Sequence, residues 1–304
     1  MNMENAYITT ELENWNDLFL LNQRFTSKFI FRGQANSEWK LQTSLERLIN
    51  KLHQKDIDIN TPVSYERMMI EEFKWKYPLY GKDNISLQKD EDVEWLALMQ
   101  HYGCPTRMLD FSNSLFVALF MAIDNYSFDS SSVWALNKVA IGHEIFTKYC
   151  TDNKRNYASV KQLNEYAYKR ANSAIRGVTP STIGNKELYI IEPKNCNERL
   201  NRQQGLFVIP GSIYSSFEEN LFSRNLDKKE LSIKELIENS NNDKNTLGSQ
   251  EIFLIKINIR KELNFAINQS LKQMNITAET LYPGLDGLAR SMSYPRSPLN
   301  DYKY

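Results

Sequence analysis

The stretch WLALMQHYGCPTRMLDFSNSLFVALFMAI, residues 95–123, joins two apolar segments through a loop of polar residues. Carboxylates at positions 90, 91, 92 and 94 precede the first segment, where the positive end of a helix dipole favours them, and Gly103 ends it. Residues 115–123 are apolar all round, so a helix there is expected to be central and buried. The stretch therefore predicts two core helices with a polar loop held between them.

Elsewhere the apolar spacing predicts a mixture of helices and short strands. Helices are expected at 12–25 behind a capping box that starts at Thr10, at 44–52, at 63–77 between Pro62 and Pro78, near 160–170, at Lys228 and Lys229, and at 260–272. Strands are expected at 29–31, 133–136, 188–191, 206–209 and 252–259. Helices crowd the first half of the chain, and the whole is predicted to be α+β.

The chain is expected to form one domain over residues 1–304. Residues 10–104 make up a helix-rich first half and residues 105–292 a half that holds the β core. The polar run near 239–249 is interpreted as an insertion, because strand signals resume directly after it, and residues 293–304 as a tail.

The composition excludes several classes of protein. With 37 Lys plus Arg against 37 Asp plus Glu, no overall field draws the chain onto nucleic acid or an anionic membrane. A content of 41% hydrophobic residues over 304 residues is enough for a packed core, so disorder is a poor description. Three cysteines, with no secretory signal and no apolar run of membrane length, indicate a cytoplasmic protein without membrane contact.

The run Phe31-Arg32-Gly33-Gln34 places an arginine at the end of a predicted strand. A guanidinium is always charged and its fork matches phosphate or carboxylate, while the neighbouring glycine lets a ligand approach the backbone. These residues indicate an anion site. The alternative is that Arg32 makes an internal ion pair or caps main-chain carbonyl groups.

The loop at residues 100–113 concentrates side chains that can bind a ligand or transfer a proton: His101, Tyr102, Thr106, Arg107, Asp110, Phe111 and Ser112. Polar loops held on rigid elements commonly form binding or catalytic sites. The alternative is that Asp110 only pairs with Arg107 and caps the following helix. The His and Cys residues lack metal-ligand spacing, so no metal site is expected.

These two segments resemble the FRG domain, a bacterial and phage family named after the first motif. The resemblance rests on Phe31-Arg32-Gly33 with Trp39 downstream and on residues 95–111. The runs RQQGLF at 202–207 and ITAETLYPGLDGL at 276–288 resemble later motifs of the family. Because proteins of this family tend to be encoded by accessory genes, the resemblance also implies a toxin or antiphage-defence role.

The order of the motifs also resembles the ADP-ribosyltransferase superfamily. Its proteins carry an aromatic-Arg-Gly triplet at a strand end, then Ser or Thr before an Ala- and Phe-containing helix, then Gln-x-Glu on a later strand. Thr106 or Ser112 would fill the second position and Gln204 the third. The resemblance implies a mixed or antiparallel split β core of about five to seven short strands. It also implies that the protein uses the cofactor NAD as its substrate.

The third motif departs from that pattern, because Gly205 stands where the catalytic glutamate is expected. Asp110, Glu192 and Glu198 are the candidates to replace it, and Asp110 is nearest to the other motifs in sequence. Transfer of ADP-ribose therefore depends on whether one of these carboxylates reaches the site.

The NAD interpretation gives each candidate a role. Cleavage of the nicotinamide glycosidic bond passes through a cationic ribose, which needs a cation for the pyrophosphate, hydroxyls for the ribose and usually a carboxylate. Arg32 would serve the phosphates, Thr106 and His101 the ribose, and Tyr102 or Phe111 would stack on nicotinamide. The catalytic set is predicted to be Arg32, His101, Thr106, Arg107, Asp110 and Gln204. The cofactor-binding set is predicted to be Arg32, Gly33, Gln34, Tyr102, Thr106, Phe111 and Ser112.

Three functions follow from these residues. The first is an enzyme that binds a small anionic nucleotide, NAD, and transfers ADP-ribose to a protein or nucleic-acid acceptor that the sequence does not identify, or hydrolyses NAD. The second is a catalytically degenerate module that binds a nucleotide or protein without turnover, which Gly205 favours. The third is a nuclease that uses Asp110, His101 and Arg107.

Overall fold

The computed structural model describes residues 6–56, 61–80, 87–88, 90–124, 129–177, 186–195, 197–242 and 252–292. Within these residues, helices pack on an eight-stranded sheet, which confirms the α+β class. None of the helices in the described ranges is long and apolar enough to span a bilayer.

The strands follow the chain in an order different from their order in the sheet. They are β1 Ala6–Leu12, β2 Phe29–Gln34, β3 Leu109–Ser112, β4 Ser130–Asn137, β5 Leu188–Ile191, β6 Gly205–Pro210, β7 Asp227–Glu230 and β8 Ile252–Arg260. The sheet order is β5-β6-β3-β2-β4-β8-β1-β7. Strand β1 runs parallel to β7 and β8, and the other neighbours are antiparallel, so the sheet is mixed.

The helices fill the connections between the strands. They are α1 Trp15–Phe25, α2 Ser44–His53, α3 Pro62–Tyr80, α4 Asp92–His101, α5 Leu115–Ile123, α6 Lys138–Asn153, α7 Val160–Arg176, α8 Glu198–Arg202, α9 Phe217–Phe222, α10 Ile233–Asn242, α11 Asn264–Gln273, α12 Ala278–Leu281 and α13 Leu285–Ser291. Ser114 caps α5 by accepting from the Val117 amide at 3.3 Å.

A narrow seam divides the sheet between β2 and β3. These two strands pair at one position only, Phe31 opposite Ser112, whereas β2 pairs with β4 at six positions. Strands β5-β6-β3 therefore form one part of the sheet and β2-β4-β8-β1-β7 the other. Because Arg32 directly follows Phe31, its side chain leaves the backbone where the two parts separate.

Helix α5 lies directly against β2, as its uniformly apolar sequence predicts. Phe29 and Phe31 point to the α5 face of the sheet, where they join the core that contains most of this helix. Gly33 also faces α5, and a β-carbon there would stand 2.0 Å from the Ala118 main-chain oxygen. The glycine of the first motif is therefore required by helix–strand packing.

The N-terminal helix prediction was wrong at its start. Residues 6–12 form β1, whose even-numbered residues are buried, so the period is two rather than 3.6. Helix α1 begins at Trp15, and Asn14 accepts from the Asp17 amide at 3.0 Å. Thr10 therefore lies in a strand and opens no capping box.

Three further expectations need correction. Residues 109–112 form β3 instead of part of a loop, and Lys228 and Lys229 lie on the exposed edge strand β7. Helix α3 continues past Pro78, which sits in the last turn where a missing amide removes a single main-chain hydrogen bond. Helix α10 reaches Asn242, within the predicted insertion, while 243–250 and the predicted tail 293–304 lie outside the described residues.

Candidate functional site

Arg32 lies at the seam and contacts Asp110 across it. Its Nη1 donates to the Asp110 main-chain oxygen at 2.8 Å and lies 3.9 Å from the carboxylate Oδ2, so the alternative expected for Arg32, an internal ion pair and a bond to a main-chain carbonyl group, is present in the structure. Its Nε is buried and has no hydrogen-bond partner among the described residues. Burial lowers the pKa of Arg32, the Asp110 charge acts in the opposite direction, and Arg47 lowers it further. Because the ordinary pKa of arginine is so high, Arg32 remains a cation, and it has hydrogen-bond donors that are not used.

A chain of hydrogen bonds holds Asp110 in place. Gln100 Nε2 donates to Asp110 Oδ1 at 2.8 Å, and the Thr106 hydroxyl donates to Gln100 Oε1. Thr106 is fully buried, whereas the Asp110 side chain is 55% exposed. Thr106 therefore acts inside the protein, through Gln100, and Asp110 is the member of the chain that reaches solvent.

His101 and Tyr102 lie at the end of α4, next to Gln100. Their rings meet edge to face with centroids 5.0 Å apart, and Tyr102 is exposed. Burial lowers the pKa of His101, and the positive charge of Arg199 lowers it further. The His101 imidazole is therefore neutral at neutral pH, when it can accept a proton.

The third motif ties the end of β3 to a distant turn. Ser112 Oγ donates to the Gln203 main-chain oxygen at 2.8 Å, and Gln203 Nε2 donates to the Leu281 oxygen at 3.2 Å. Gln204 has a φ of 47°, and its main-chain oxygen accepts from the Asn113 amide at 2.9 Å. Gln204 is exposed, at the same end of β3 as the seam. Its contribution to this corner comes from its backbone.

Gly205 pairs with Ser112 at the start of β6. A β-carbon at position 205 would lie 2.4 Å from Leu200 Cδ1, so a glutamate there would require Leu200 to move. Among the three carboxylates expected to replace that glutamate, Asp110 is the one that contacts Arg32.

Arg107 does not join this group. It is 1% exposed and its Nε donates to both carboxylate oxygens of Glu66, at 2.8 and 2.9 Å, while Nη1 donates to the Ala174 oxygen at 3.3 Å. Asp110 contacts Arg32 instead of Arg107, and Ser114 caps α5. The alternative that Asp110 only pairs with Arg107 and caps the following helix is therefore wrong in both parts.

Besides Thr106, four residues of the predicted cofactor-binding set are engaged inside the protein. Gly33 packs on α5, and Phe111 is buried in the core on the opposite face of the sheet. Gln34 accepts from Trp134 Nε1 at 2.7 Å and donates to the Lys40 oxygen at 3.0 Å. Ser112 is buried and bonded to Gln203. These contacts hold the site together.

Two residues of the site were not predicted from the sequence. Gln100 lies beside His101 in the polar loop at residues 100–113, and this position was the one feature of the sequence that indicated its role. Arg199, on α8, belongs to no motif of charge or spacing, and only the fold brings its charge close enough to lower the pKa of His101.

Other features lie apart from the site. Among the described residues, no group of three or more His, Cys, Asp or Glu side chains is arranged to hold a metal ion. A cavity of about 280 Å³ is lined in part by Asp92 and by Lys74 and Arg176, both of which pair with Asp92. Its lining does not include Arg32 or Asp110.

Residues 27–130 match the family model of the FRG domain. Comparisons with curated proteins and with solved structures give no match. The matched segment contains Arg32, Gln100, His101, Thr106 and Asp110, so it carries the seam contact and its hydrogen-bond chain. The resemblance of the later motifs to the family stays a prediction. Residues 27–130 are therefore similar to an FRG domain, and both sides of the candidate site lie within them.

Proposed function

We propose that the seam beside Arg32 binds NAD, and that the protein either transfers ADP-ribose to an acceptor or hydrolyses the glycosidic bond. The observation that carries this proposal is the contact between Arg32 and Asp110, which places a buried cation, its Nε without a partner in the described part of the chain, beside an exposed carboxylate. An anionic dinucleotide whose ribose becomes cationic needs both kinds of charge.

Each group has a role in this reaction. Arg32 holds a phosphate of NAD through the guanidinium donors that are not bonded to Asp110. The bond from ribose C1′ to nicotinamide breaks with both electrons leaving on nicotinamide, and Asp110 stabilises the cationic ribose. Water or an acceptor group then forms the new bond at C1′ and gives its proton to His101 or Asp110. With water, the products are ADP-ribose, nicotinamide and one proton.

The test is release of nicotinamide from NAD by the purified full chain. The variants are Arg32→Ala and Asp110→Asn, with Arg260→Ala as the matched control, because Arg260 is an exposed arginine paired with Glu11 at the end of β8. We expect turnover by the wild type, a loss of about 100-fold in either site variant, and no change in the control. Equal release by all four proteins, with and without a cell extract as a source of acceptor, would contradict the proposal.

Transfer and hydrolysis are separated by following the ADP-ribose moiety. NAD labelled in its adenine ring leaves label on protein or nucleic acid if an acceptor is used, and free ADP-ribose if water is used. A role in toxicity or antiphage defence rests on association with the family and stays a prediction.

A second candidate is a nucleotide-binding module without turnover, and Gly205 in the expected glutamate position favours it. Calorimetry would then show binding of NAD that Arg32→Ala abolishes, with no nicotinamide formed. The nuclease hypothesis has less support, because Arg107 is bound to Glu66 and is not near Asp110.

A further inference from the structure

Helix α3 carries large apolar side chains on the face that is turned to solvent. Met68, Trp75 and Leu79 are 55%, 73% and 74% exposed. Their spacing of seven and then four residues puts them in one line along the helix, and we call this line the apolar stripe. The opposite face of α3 packs into the core through Ile70 and Phe73. The helix is therefore apolar on two sides, whereas a surface helix is normally apolar on one.

An exposed line of large apolar side chains is typical of a surface that a partner covers. Single exposed apolar residues are common, but a continuous patch marks an interaction surface. From Met68 to Leu79 the stripe extends about 16 Å along the helix axis. A strip this straight and narrow fits another helix, since helices pack through side chains spaced at three and four residues.

The charges beside the stripe indicate which helix fits. Glu72 and Lys76 lie on the same side of it, four residues apart, and pair with each other. A second copy of α3 laid antiparallel to the first brings its own Lys76 to Glu72 and its own Glu72 to Lys76. The charges of the surface are therefore complementary to those of a second copy of the same surface.

The apolar residues obey the same two-fold relation. With the axis near position 74, Met68 of one copy meets Leu79 of the other, and the two Trp75 side chains meet beside the axis. A parallel pair of helices would instead place Glu72 against Glu72, and like charges weaken association. The formal net charge of zero adds no overall repulsion between copies.

We propose that the apolar stripe of α3 is the interface of a homodimer, in which two copies of the helix pack antiparallel around a two-fold axis. One helix face is smaller than the roughly 800 Å² per partner of a standard interface, so the dimer dissociates at micromolar concentration. This interface is independent of the NAD reaction, since Arg32, Gln100, His101, Thr106 and Asp110 all lie outside α3.

Sedimentation velocity of the full chain at about 1 to 200 μM, a range that brackets a weak interface, measures the association. Trp75→Ala should weaken it by at least about 100-fold, because each truncation acts twice in a two-fold interface. Phe265→Ala is the matched control and should leave association unchanged, since Phe265 is an exposed aromatic residue on α11. Thermal unfolding shows whether each variant is folded.

The antiparallel arrangement is tested by reversing charges. Glu72→Lys alone and Lys76→Glu alone each place like charges across the axis and should weaken self-association by about tenfold or more. A mixture of the two should form a heterodimer, because every charge contact across the axis then joins Glu to Lys. Lys169→Glu is the matched control, since Lys169 is an exposed lysine four residues after Glu165 on α7.

Heterodimer formation cannot come from changes within one helix, because neither single variant gains a favourable pair of its own. A chain that stays monomeric at every concentration would overturn the inference and leave the stripe to a different partner. Dimerisation that a folded Trp75→Ala does not weaken would also overturn it, as would a mixture of the two charge variants that associates no better than each variant alone.

Discussion

Gly33 and Ala118 are in direct main-chain contact, so close that a β-carbon on Gly33 would lie 2.0 Å from the Ala118 oxygen and 2.6 Å from the Ala122 nitrogen. This contact presses helix α5 against strand β2 one residue after Arg32. The arginine that contacts Asp110 is therefore held by a backbone that cannot shift without moving the central helix.

Gly33→Ala should lower the free energy of unfolding by about 3 kcal/mol, because the clash is with backbone and cannot be relieved by a side-chain rotation. Gly142→Ala is the matched control. Gly142 lies inside α6, where a β-carbon meets nothing within 4 Å, so alanine should raise stability by about 1 kcal/mol. Urea denaturation measures both, and equal stability of Gly33→Ala and the wild type would show that the contact is not tight.

Glu66→Gln should destabilise the protein by about 3 to 5 kcal/mol, since it leaves the buried charge of Arg107 without its partner. The double variant Glu66→Leu with Arg107→Met removes both charges and should be more stable than either single variant. Glu198→Gln breaks the exposed pair with Arg202 and should cost less than about 1 kcal/mol. If nicotinamide release survives in a folded double variant, Arg107 has no part in the chemistry.

Gln34→Leu tests whether Gln34 binds a ligand or only supports the sheet. The leucine leaves Trp134 Nε1 and the Lys40 oxygen without partners, so we expect a loss of about 2 kcal/mol in the free energy of unfolding. Affinity for NAD, measured on the folded variant, should stay unchanged. A loss of affinity without a loss of stability would instead restore Gln34 to the ligand-binding set.

His101 should titrate below its ordinary pKa of 6.5, chiefly because it is partly buried and also because Arg199 is cationic. Arg199→Gln should raise the pKa of His101 without restoring it fully, since burial remains. Proton NMR of the imidazole measures both values. No upward movement in Arg199→Gln would show that the two charges do not interact.

The lowered pKa of His101 also makes the free energy of unfolding depend on pH. Because the pKa of His101 is lower in the folded state, the unfolded chain binds the proton more readily. The free energy of unfolding therefore falls as pH falls from 6.5 towards the folded pKa, and above 6.5 this loss is absent. His101→Gln should reduce the fall in stability over that interval, as followed by urea denaturation at a series of pH values.

The sequence predicted most of the elements because their local patterns were long and regular. Helix α5 was evident from nine apolar residues, and β8 from the alternation that ends at Ile259. Strand β3 was missed because four residues, two of them polar, are too few to show a period, and β7 because its residues are all exposed. Together with β1, where a helix start was expected, these two strands bring the sheet to eight, above the expected five to seven.

The candidate site was partly predictable for a different reason. Arg32, His101 and Asp110 stand in motifs rich in polar groups, and such groups can be recognised from residue type. Their partners cannot, because the partner of a side chain depends on which distant segment packs beside it. Arg32 contacts Asp110, which is 78 residues away in the sequence, and Arg107 contacts Glu66, which is 41 residues away.

The sequence by itself determined the α+β class, the central buried helix, and a similarity to the FRG domain that includes an arginine at the end of a strand. Only the tertiary structure decided which arginines are neutralised. It buried Arg107 against Glu66, placed Arg32 beside Asp110 where β2 and β3 separate, and left Arg199 without a carboxylate partner among the described residues. Ion pairing is decided by proximity after folding, and proximity comes from strand register and helix packing between segments that share no local pattern.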